Sequence, residues 1–365
     1  MATLEHPNEV DVLVVGAGPA GSTTARFCAG KDVNVLIIDR RKEIGYPVQC
    51  GELLPHAEEM CSIFPRSADL ADLFALEDAC IRGECTKVDM ISPRGRIYRL
   101  DFRSHVLDRR AYDKHLARLA VEQGARLESN QSLVSLKDGI AKTTMGLIKP
   151  KVIVGADGPN SRTAREVGLS KPSELYPAVT CQAEGSFEPE VKMYFGRCAP
   201  GGYAWIIPKG REANVGLGFN PRLLSERPGE VFARFMTRFD CRYSDVAMGF
   251  VPMSGPVDRT VSGNAILVGD AAGHVMATNG GGIPTAMMAG RIAGRLIKEH
   301  LRNGTPLQQY ETRWRELLDK PLKKSVSTRS LADLFYPSDS LLGLTMFILG
   351  RRGLDRAIRC KPLFL

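Results

Sequence analysis

Residues 11–39 read DVLVVGAGPAGSTTARFCAGKDVNVLIID, and this stretch decides the fold. DVLVV is a short apolar run of β-formers, and VNVLIID is a second one that ends in Asp39. Between them GAGPAG sets Gly16, Gly18 and Gly21 in G-x-G-x-x-G register, with Pro19 and Ala20 in the same cofactor-facing turn. Gly16 permits a tight strand-to-helix turn. Gly18 lets the backbone approach a pyrophosphate, whose charge meets free N–H groups at the helix start. Gly21 lets helix and strand pack closely, and Ala25 keeps the helix small where it meets the sheet. Asp39 can accept hydrogen bonds from a ribose hydroxyl, and its charge would repel a 2′-phosphate, which disfavours NADP. The stretch therefore announces an ADP moiety, as in FAD or NAD.

Length and composition agree with an ordinary globular chain of one compact unit: 365 residues, 44% hydrophobic and 25% charged, with no repeat or linker run. The net charge of +8 suits an anionic cofactor or an acidic lipid surface. Nucleic acid is not an expected partner, because no basic stripe with interleaved aromatics is present. The N-terminus lacks the basic start of a secretory signal. Nine cysteines fall in no metal-ligand spacing, and Cys80 and Cys85 have no second pair. Reduced thiols in a cytoplasmic compartment, and no metal, are expected.

Two later motifs choose between the dinucleotides. KVIVGADGPNSRTAR, residues 151–165, reads as a strand and a turn through Gly155, Asp157 and Gly158, leading to a helix capped near Asn160 or Ser161. In residues 265–297, AILVGD is a strand carrying Asp270 at its carboxyl end, and NGGGIP opens a helix with Pro284 in the first turn. Gly280, Gly281 and Gly282 leave bare N–H groups at a positive helix terminus, which can stabilise negative charge on the edge of a reduced flavin. A nicotinamide enzyme has no need of this distant second site. A flavin has, because its ribityl and ring parts extend well beyond the ADP.

The set GAGPAG…D, LDRRAYD, GADGPNS and GDAAG, spanning residues 11–300, resembles the FAD-dependent p-hydroxybenzoate hydroxylase superfamily. The resemblance implies that Asp270 binds the ribityl chain, that Arg109 contacts the ribityl–pyrophosphate region, and that the Asp157–Gly158 loop supports FAD. Arg40, Cys50, Gly51 and Ile283 join the implied FAD contacts. The expected fold is α/β (α+β): a Rossmann-like FAD-binding domain, an antiparallel β-sheet substrate domain and a helical C-terminal segment. The FAD domain is expected to gather residues 1–80, 106–175 and 256–306. The substrate domain takes strands in 81–105 and the body of 176–255, and residues 307–365 form the helical end. SHVLDRRAYDKHLARLAVEQGA, residues 104–125, reads as a helix with Leu116, Leu119 and Ala120 on its apolar side.

Residues 176–255 alternate short β-like runs with turns and are expected to roof the flavin. Within PGGYAWIIP, residues 200–208, Tyr203 and Trp205 alternate and so share a strand face. They offer a wall to a long apolar substrate or a cover for the ring; plain sheet core is the alternative. The segment resembles the P-x-x-Y-x-W-x-F-P motif of the geranylgeranyl reductase family, with Ile207 in place of Phe and Pro208 at its end. That family also carries C-G-E after the second strand, matched by Cys50-Gly51-Glu52 within YPVQCGELLP, residues 46–55. Its archaeal members, the digeranylgeranylglycerophospholipid reductases, saturate the isoprenoid chains of membrane lipids. The resemblance thus implies an isoprenoid lipid substrate and an external electron donor: NADPH, a ferredoxin or another reductase.

Saturating an isolated alkene needs hydride at one carbon and a proton at the other. A thiol of ordinary pKa, about 8.5, is protonated at neutral pH and can donate, which nominates Cys50. Glu52 would orient it, or sit neutral in an apolar pocket. His274, just after GDAAG, joins Tyr203, Trp205 and Pro208 as a candidate substrate contact, with a plain loop histidine as the alternative. A flavin halogenase or monooxygenase of the same fold is the second functional reading, but Tyr203 replaces the first Trp of the halogenase segment. In the tail, SLLGLTMFILG (residues 340–350) is apolar but too short to span a bilayer. Arg351, Arg352, Arg356, Arg359 and Lys361 follow, against Asp355. Two readings stand: peripheral contact with the inner face of an anionic membrane, or a docked helix with a solvated basic face.

Overall fold

In the computed structural model, which describes residues 7–66 and 72–363, the opening stretch folds as β1 (Asn8–Val15), α1 (Pro19–Cys28) and β2 (Val35–Asp39). The chain continues through β3 (Leu53–Pro55), α2 (Ala57–Ile63), β4 (Ile81–Ile91), β5 (Ile97–Leu107) and α3 (Arg109–Glu122). Then come β6 (Arg126–Ser129), β7 (Leu133–Lys137), β8 (Ile140–Thr143), β9 (Gly146–Gly155) and α4 (Arg162–Glu166). The middle holds β10 (Leu175–Gly185), β11 (Val191–Tyr194), β12 (Ala204–Lys209), β13 (Glu212–Gly218), α5 (Pro228–Met236) and β14 (Cys241–Pro252). The last part holds β15 (Val261–Ser262), β16 (Ala265–Leu267), α6 (Ile283–Asn303), α7 (Gln309–Trp314), α8 (Lys320–Asp333) and α9 (Asp339–Ile358).

The first sheet has the order β15-β16-β9-β1-β2-β6, with the β7–β8 hairpin paired onto β9. The strands from β16 to β6 run parallel, and β1 and β2 are buried on both faces, as the continuous apolar runs require. One face packs on α1, α3 and α6; the other is covered from the hairpin by Leu133 and Ala141. This is the Rossmann-like layer expected from the glycine fingerprint.

The second sheet has the order β14-β10-β13-β12-β11-β4-β5-β3. An antiparallel sheet was the expectation; the sheet is mixed, because β4 runs parallel to β11 from Val88↔Val191 to Ile91↔Tyr194. The β4–β5 hairpin arrives from early in the chain and adds to the edge of a later meander, so no hairpin turn fixes its direction. β3, from within residues 1–80, also pairs here, with β5. One face of this sheet packs on α5, and the other on α9 through Leu342, Met346, Leu354 and Ile358.

The helix read over residues 104–125 begins only at Arg109. Ser104–Leu107 complete β5, and Asp108 caps the helix by accepting from Ala111 N at 3.0 Å. Leu116 and Ala120 are buried, as the periodicity requires. The tail is a docked helix that keeps an exposed apolar and basic side. α9 docks on the sheet, yet Leu341, Leu344, Phe347 and Ile348 stay exposed, as do Leu331 of α8 and Leu334 just after it. Arg351 and Arg352 are exposed, whereas Arg359 is drawn inward to Glu59 and Asp355. Among the described residues, no helix is long and apolar enough to cross a membrane.

α1 and α6 touch backbone to backbone. A β-carbon at Gly290 would lie 2.7 Å from the Ala20 carbonyl oxygen, and one at Gly294 would lie 2.4 Å from that of Thr24. Replacing Gly294 by Leu should therefore push the helices apart and destabilise the fold by roughly 1–3 kcal/mol, read as a fall in Tm. Gly343→Ala, where an added carbon meets nothing within 4 Å, should leave Tm within a degree or two.

Candidate active site

The nucleotide end is set by steric facts. Gly16 has φ +105°, and a β-carbon there would lie 2.3 Å from the Ala156 carbonyl oxygen. One at Gly21 would sit 1.8 Å from the Gly16 carbonyl oxygen, whereas one at Gly18 meets nothing within 4 Å. Gly18 is also the N-cap of α1, and no side chain caps the free N–H groups of its first turn, which begin at Ala20 because Pro19 has none. Open space thus lies where a pyrophosphate would approach.

Asp39 ends β2 and accepts from Ala17 N at 2.8 Å. It is also gripped by Arg41, through Nε at 2.9 Å and Nη2 at 2.8 Å. Burial works to raise its pKa, but the Arg41 hydrogen bonds and charge outweigh it, so the carboxyl sits below its usual range. Arg40 is exposed; its neighbour Arg41 is the basic residue built into the site. Because Arg41 offsets the Asp39 charge, the repulsion expected against a 2′-phosphate is weaker than the acid alone suggested.

Asp157 faces its own loop. It accepts from Ser161 Oγ at 2.5 Å, Arg162 N at 2.8 Å and Thr163 N at 2.9 Å, so it shapes the turn through Gly158 (φ +84°). Ser161 caps α4, as read from the sequence. Asp270 lies in the short turn before α6, with Oδ1 3.1 Å from where a β-carbon on Gly282 would be. Among the described residues no donor meets its carboxylate; burial raises its pKa to about 6 against the pull of Arg109. Gly282 is the N-cap of α6, which begins at Ile283 with Pro284 in its first turn, and Gly280 before it has φ +69°. The bare glycine run expected here is corrected: Gly280 N donates to the Met276 carbonyl at 2.9 Å and Gly281 N to Asn279 Oδ1 at 2.8 Å, which leaves the uncapped start of α6 at Gly282 and Ile283. What remains fits FAD: an uncapped helix start for the pyrophosphate, an unpartnered acid for polyol hydroxyls, and a second uncapped helix start for the ring edge.

Between these ends runs the loop that joins β2 to β3. Cys50 Sγ accepts from Glu52 N at 3.1 Å, and its thiol couples electrostatically to Arg109 and Tyr203. Glu52 is 1% exposed and has φ +64°, a left-handed conformation for a residue with a β-carbon. Its Oε1 accepts from Arg109 N at 3.0 Å. Its Oε2 accepts from Gln182 Nε2 at 2.7 Å, from Asn214 Nδ2 at 2.8 Å and from Lys209 Nζ. The pocket around Glu52 is therefore polar, and the acid holds the loop in place. The apolar surroundings expected for Glu52 are corrected.

The aromatic wall exists. Phe195, Tyr203 and Trp205 follow at centroid spacings of 5.9 Å. Trp205 Nε1 donates to Asn214 Oδ1 at 2.7 Å, and Tyr203 Oη donates to the Asn279 carbonyl at 2.5 Å, tying the wall to the glycine run. Gly51 lies against Trp205 and Ile207, and a β-carbon at Gly216 would strike the indole at 2.2 Å. Behind the wall lies the apolar cluster of Met90, Leu100, Phe102, Met193, Leu342 and Met346.

Two substrate candidates fall elsewhere. Pro208 is on the opposite face of β12 from Trp205, on the side of Ala204 and Ile206, as strand alternation dictates. His274 is fully buried against Trp314, with ring centroids 4.6 Å apart, and burial with the nearby Arg315 charge lowers its pKa to about 3. It is a neutral core residue. Sequence reasoning missed Lys209, Asn214, Gln182 and Arg41. The available signal was polar residues inside strands otherwise reading as buried, and Lys209 shares the parity of Trp205.

Residues 177–249 match the family described as geranylgeranyl reductase catalytic domain, and residues 14–58 match the NAD(P)-binding Rossmann-like domain. A digeranylgeranylglycerophospholipid reductase of Methanothermobacter thermautotrophicus is 35% identical over 352 residues, covering 88% of each chain. The crystal structure of a geranylgeranyl bacteriochlorophyll reductase-like protein from Thermoplasma acidophilum superposes with a TM-score of 0.82 at 27% identity, covering 94% of this chain and 92% of that one. A flavin-dependent brominase gives 0.71 at 18% identity, covering 97% of this chain and 94% of its own, a likeness of fold alone.

Asp270 yields a test. A raised pKa means that its contribution to stability is complete below about pH 4 and lost as pH climbs through about 6. Asp270→Asn should raise the Tm of flavin-free protein at pH 7.5, leave it unchanged near pH 3.5, and weaken flavin retention. Equal Tm differences at both pH values would remove Asp270 as the titrating group.

Proposed function

The chain belongs to the geranylgeranyl reductase family, and we propose that it holds FAD and uses Cys50 as the proton donor for saturating geranylgeranyl chains. It is an oxidoreductase acting on C=C bonds of isoprenoid lipids, as its relatedness along most of the chain supports. The observation that carries the proton-donor reading is the setting of Cys50, in the loop whose Gly51 lies against Trp205 and Ile207 of the apolar cluster, with the Arg109 guanidinium and Tyr203 near enough to feel its charge. Gly16, Gly18, Asp39, Arg109, Asp270 and Gly280–Gly282 would hold the cofactor. Reduced flavin, when bound there, would supply hydride chemistry toward one alkene carbon.

The protein's own share is placement and the proton. Tyr203, Trp205 and Phe195 flank the prenyl chain and exclude water. The Cys50 S–H bond breaks as a C–H bond forms on the second carbon, and the thiolate left behind is stabilised by Arg109 until solvent returns the proton. Glu52 keeps Cys50 in register. Electrons come from an external donor: NADPH, a ferredoxin or another reductase.

The lipid would be reached from a membrane face. Phe347 and Ile348 are 56% and 67% exposed, and Arg351 and Arg352 follow directly after the break in α9 at Gly350. Greasy residues beside cations suit an anionic bilayer surface.

Two experiments test this. Cys50→Ala, reduced by dithionite without oxygen and given geranylgeranyl lipid, should keep its yellow absorbance but lose about 10²–10⁴-fold in turnover, followed by mass spectrometry of the saturated product. Normal turnover would eliminate Cys50 as donor. Phe347→Glu with Ile348→Glu should abolish co-sedimentation with anionic liposomes while leaving Tm unchanged; undiminished binding would place the membrane face elsewhere.

A further inference from the structure

Away from the flavin site, three side chains converge that no part of the reductase reading uses. His56 Nε2 lies 2.9 Å from Glu84 Oε2, and His105 Nδ1 lies 2.5 Å from Glu84 Oε1. The two imidazoles face each other with centroids 4.1 Å apart, and the three donor atoms all lie within 4.8 Å of one another. Glu84 and His105 are direct cross-strand partners on β4 and β5; His56 follows β3, which pairs with the same β5. All three are reached by solvent: His56 is 16% and His105 23% exposed at the side chain, and Glu84 49%.

We infer that His56, Glu84 and His105 form a binding site for a divalent first-row transition ion of the zinc class. Two imidazoles and one carboxylate suit such an ion; Mg²⁺ and Ca²⁺ prefer all-oxygen sets. A zinc ion about 2.1 Å from each donor needs donor separations under about 4 Å. Two separations are already that short, so side-chain rotation completes the set and leaves a fourth position for water. The ion would replace the two imidazole protons now directed at Glu84, and each neutral ring would carry its proton on the other nitrogen. A ring pair this close is unfavourable as two cations but favourable as two neutral ligands sharing one. The consequence is mechanical. His56 lies four residues after Glu52, so a bound ion pins the trailing end of the Cys50 loop to β4 and β5. The spacing escapes a sequence search because the ligands lie on three separate strand ends, joined by strand pairing alone.

The test uses full-length, flavin-loaded protein carrying Cys61→Ser, which removes the exposed thiol as a competing ligand. After chelator treatment it is titrated calorimetrically with zinc chloride in excess Mg²⁺. One equivalent should bind with micromolar or tighter Kd, and Tm should rise by roughly 3–5 °C at a hundredfold excess over Kd. His105→Ala should weaken binding at least tenfold with the yellow absorbance retained. Glu84→Gln, which keeps the shape of the side chain, should do the same and serves if the first variant folds poorly. Substoichiometric binding, or a loss under tenfold in both variants, overturns the site. Neither result bears on alkene reduction, so the two proposals fail independently.

Discussion

One buried carboxylate organises the active-site region. Glu52 adopts a backbone conformation that costs a residue with a β-carbon about 1–2 kcal/mol. It is held there by donors from β10, β12 and β13 of one sheet and from the first residue of α3. A buried ion pair such as Glu52–Lys209 is tolerable only when the remaining lone pairs are also met, and here they are. The loop around Cys50 is therefore fastened at once to the sheet that carries the aromatic row and to the layer that carries the nucleotide fingerprint. The place of the thiol follows from that knot.

The same knot explains the polarity of the site. Asn214 faces both ways: its Nδ2 serves Glu52 and the Cys50 carbonyl, while its Oδ1 takes the Trp205 indole proton. The indole is thus oriented by a polar hub and presents its ring to apolar surroundings. Gly51 and Gly216 are small because the indole occupies the volume on either side. Ile207, where the family motif has Phe, fills the next position along the wall beside Gly51.

What the sequence made legible was whatever is enforced locally. The glycine register spans six residues, and each of its demands reappears as a measurable close approach or open space. The cap read near Ser161 sits three residues from the group it binds; the Asp108 cap, equally local, was hidden inside a helix read from residue 104. Contacts between distant strands left no such trace. Gln182, Lys209 and Asn214 reach Glu52 across 130 to 162 residues, and nothing near Cys50 announces them. The parallel pairing of β4 with β11 was hidden for the same reason. Pro208 differs: the parity that put Tyr203 and Trp205 on one face already excluded it. His274 follows a cofactor motif, but its chain turns inward to Trp314, and only packing reveals that.

The close contact of α1 with α6 sets an order of events in the cell. The side of residues 19–28 that meets α6 stays uncovered until residues 283–303 have been made, because the two glycines there bring the helices into backbone contact. β1 likewise waits for β9 to flank it. A ribosome must therefore deliver most of the polypeptide before its earliest segment can close, and until then the nascent N-terminal strands are exposed to chaperones and to mispairing.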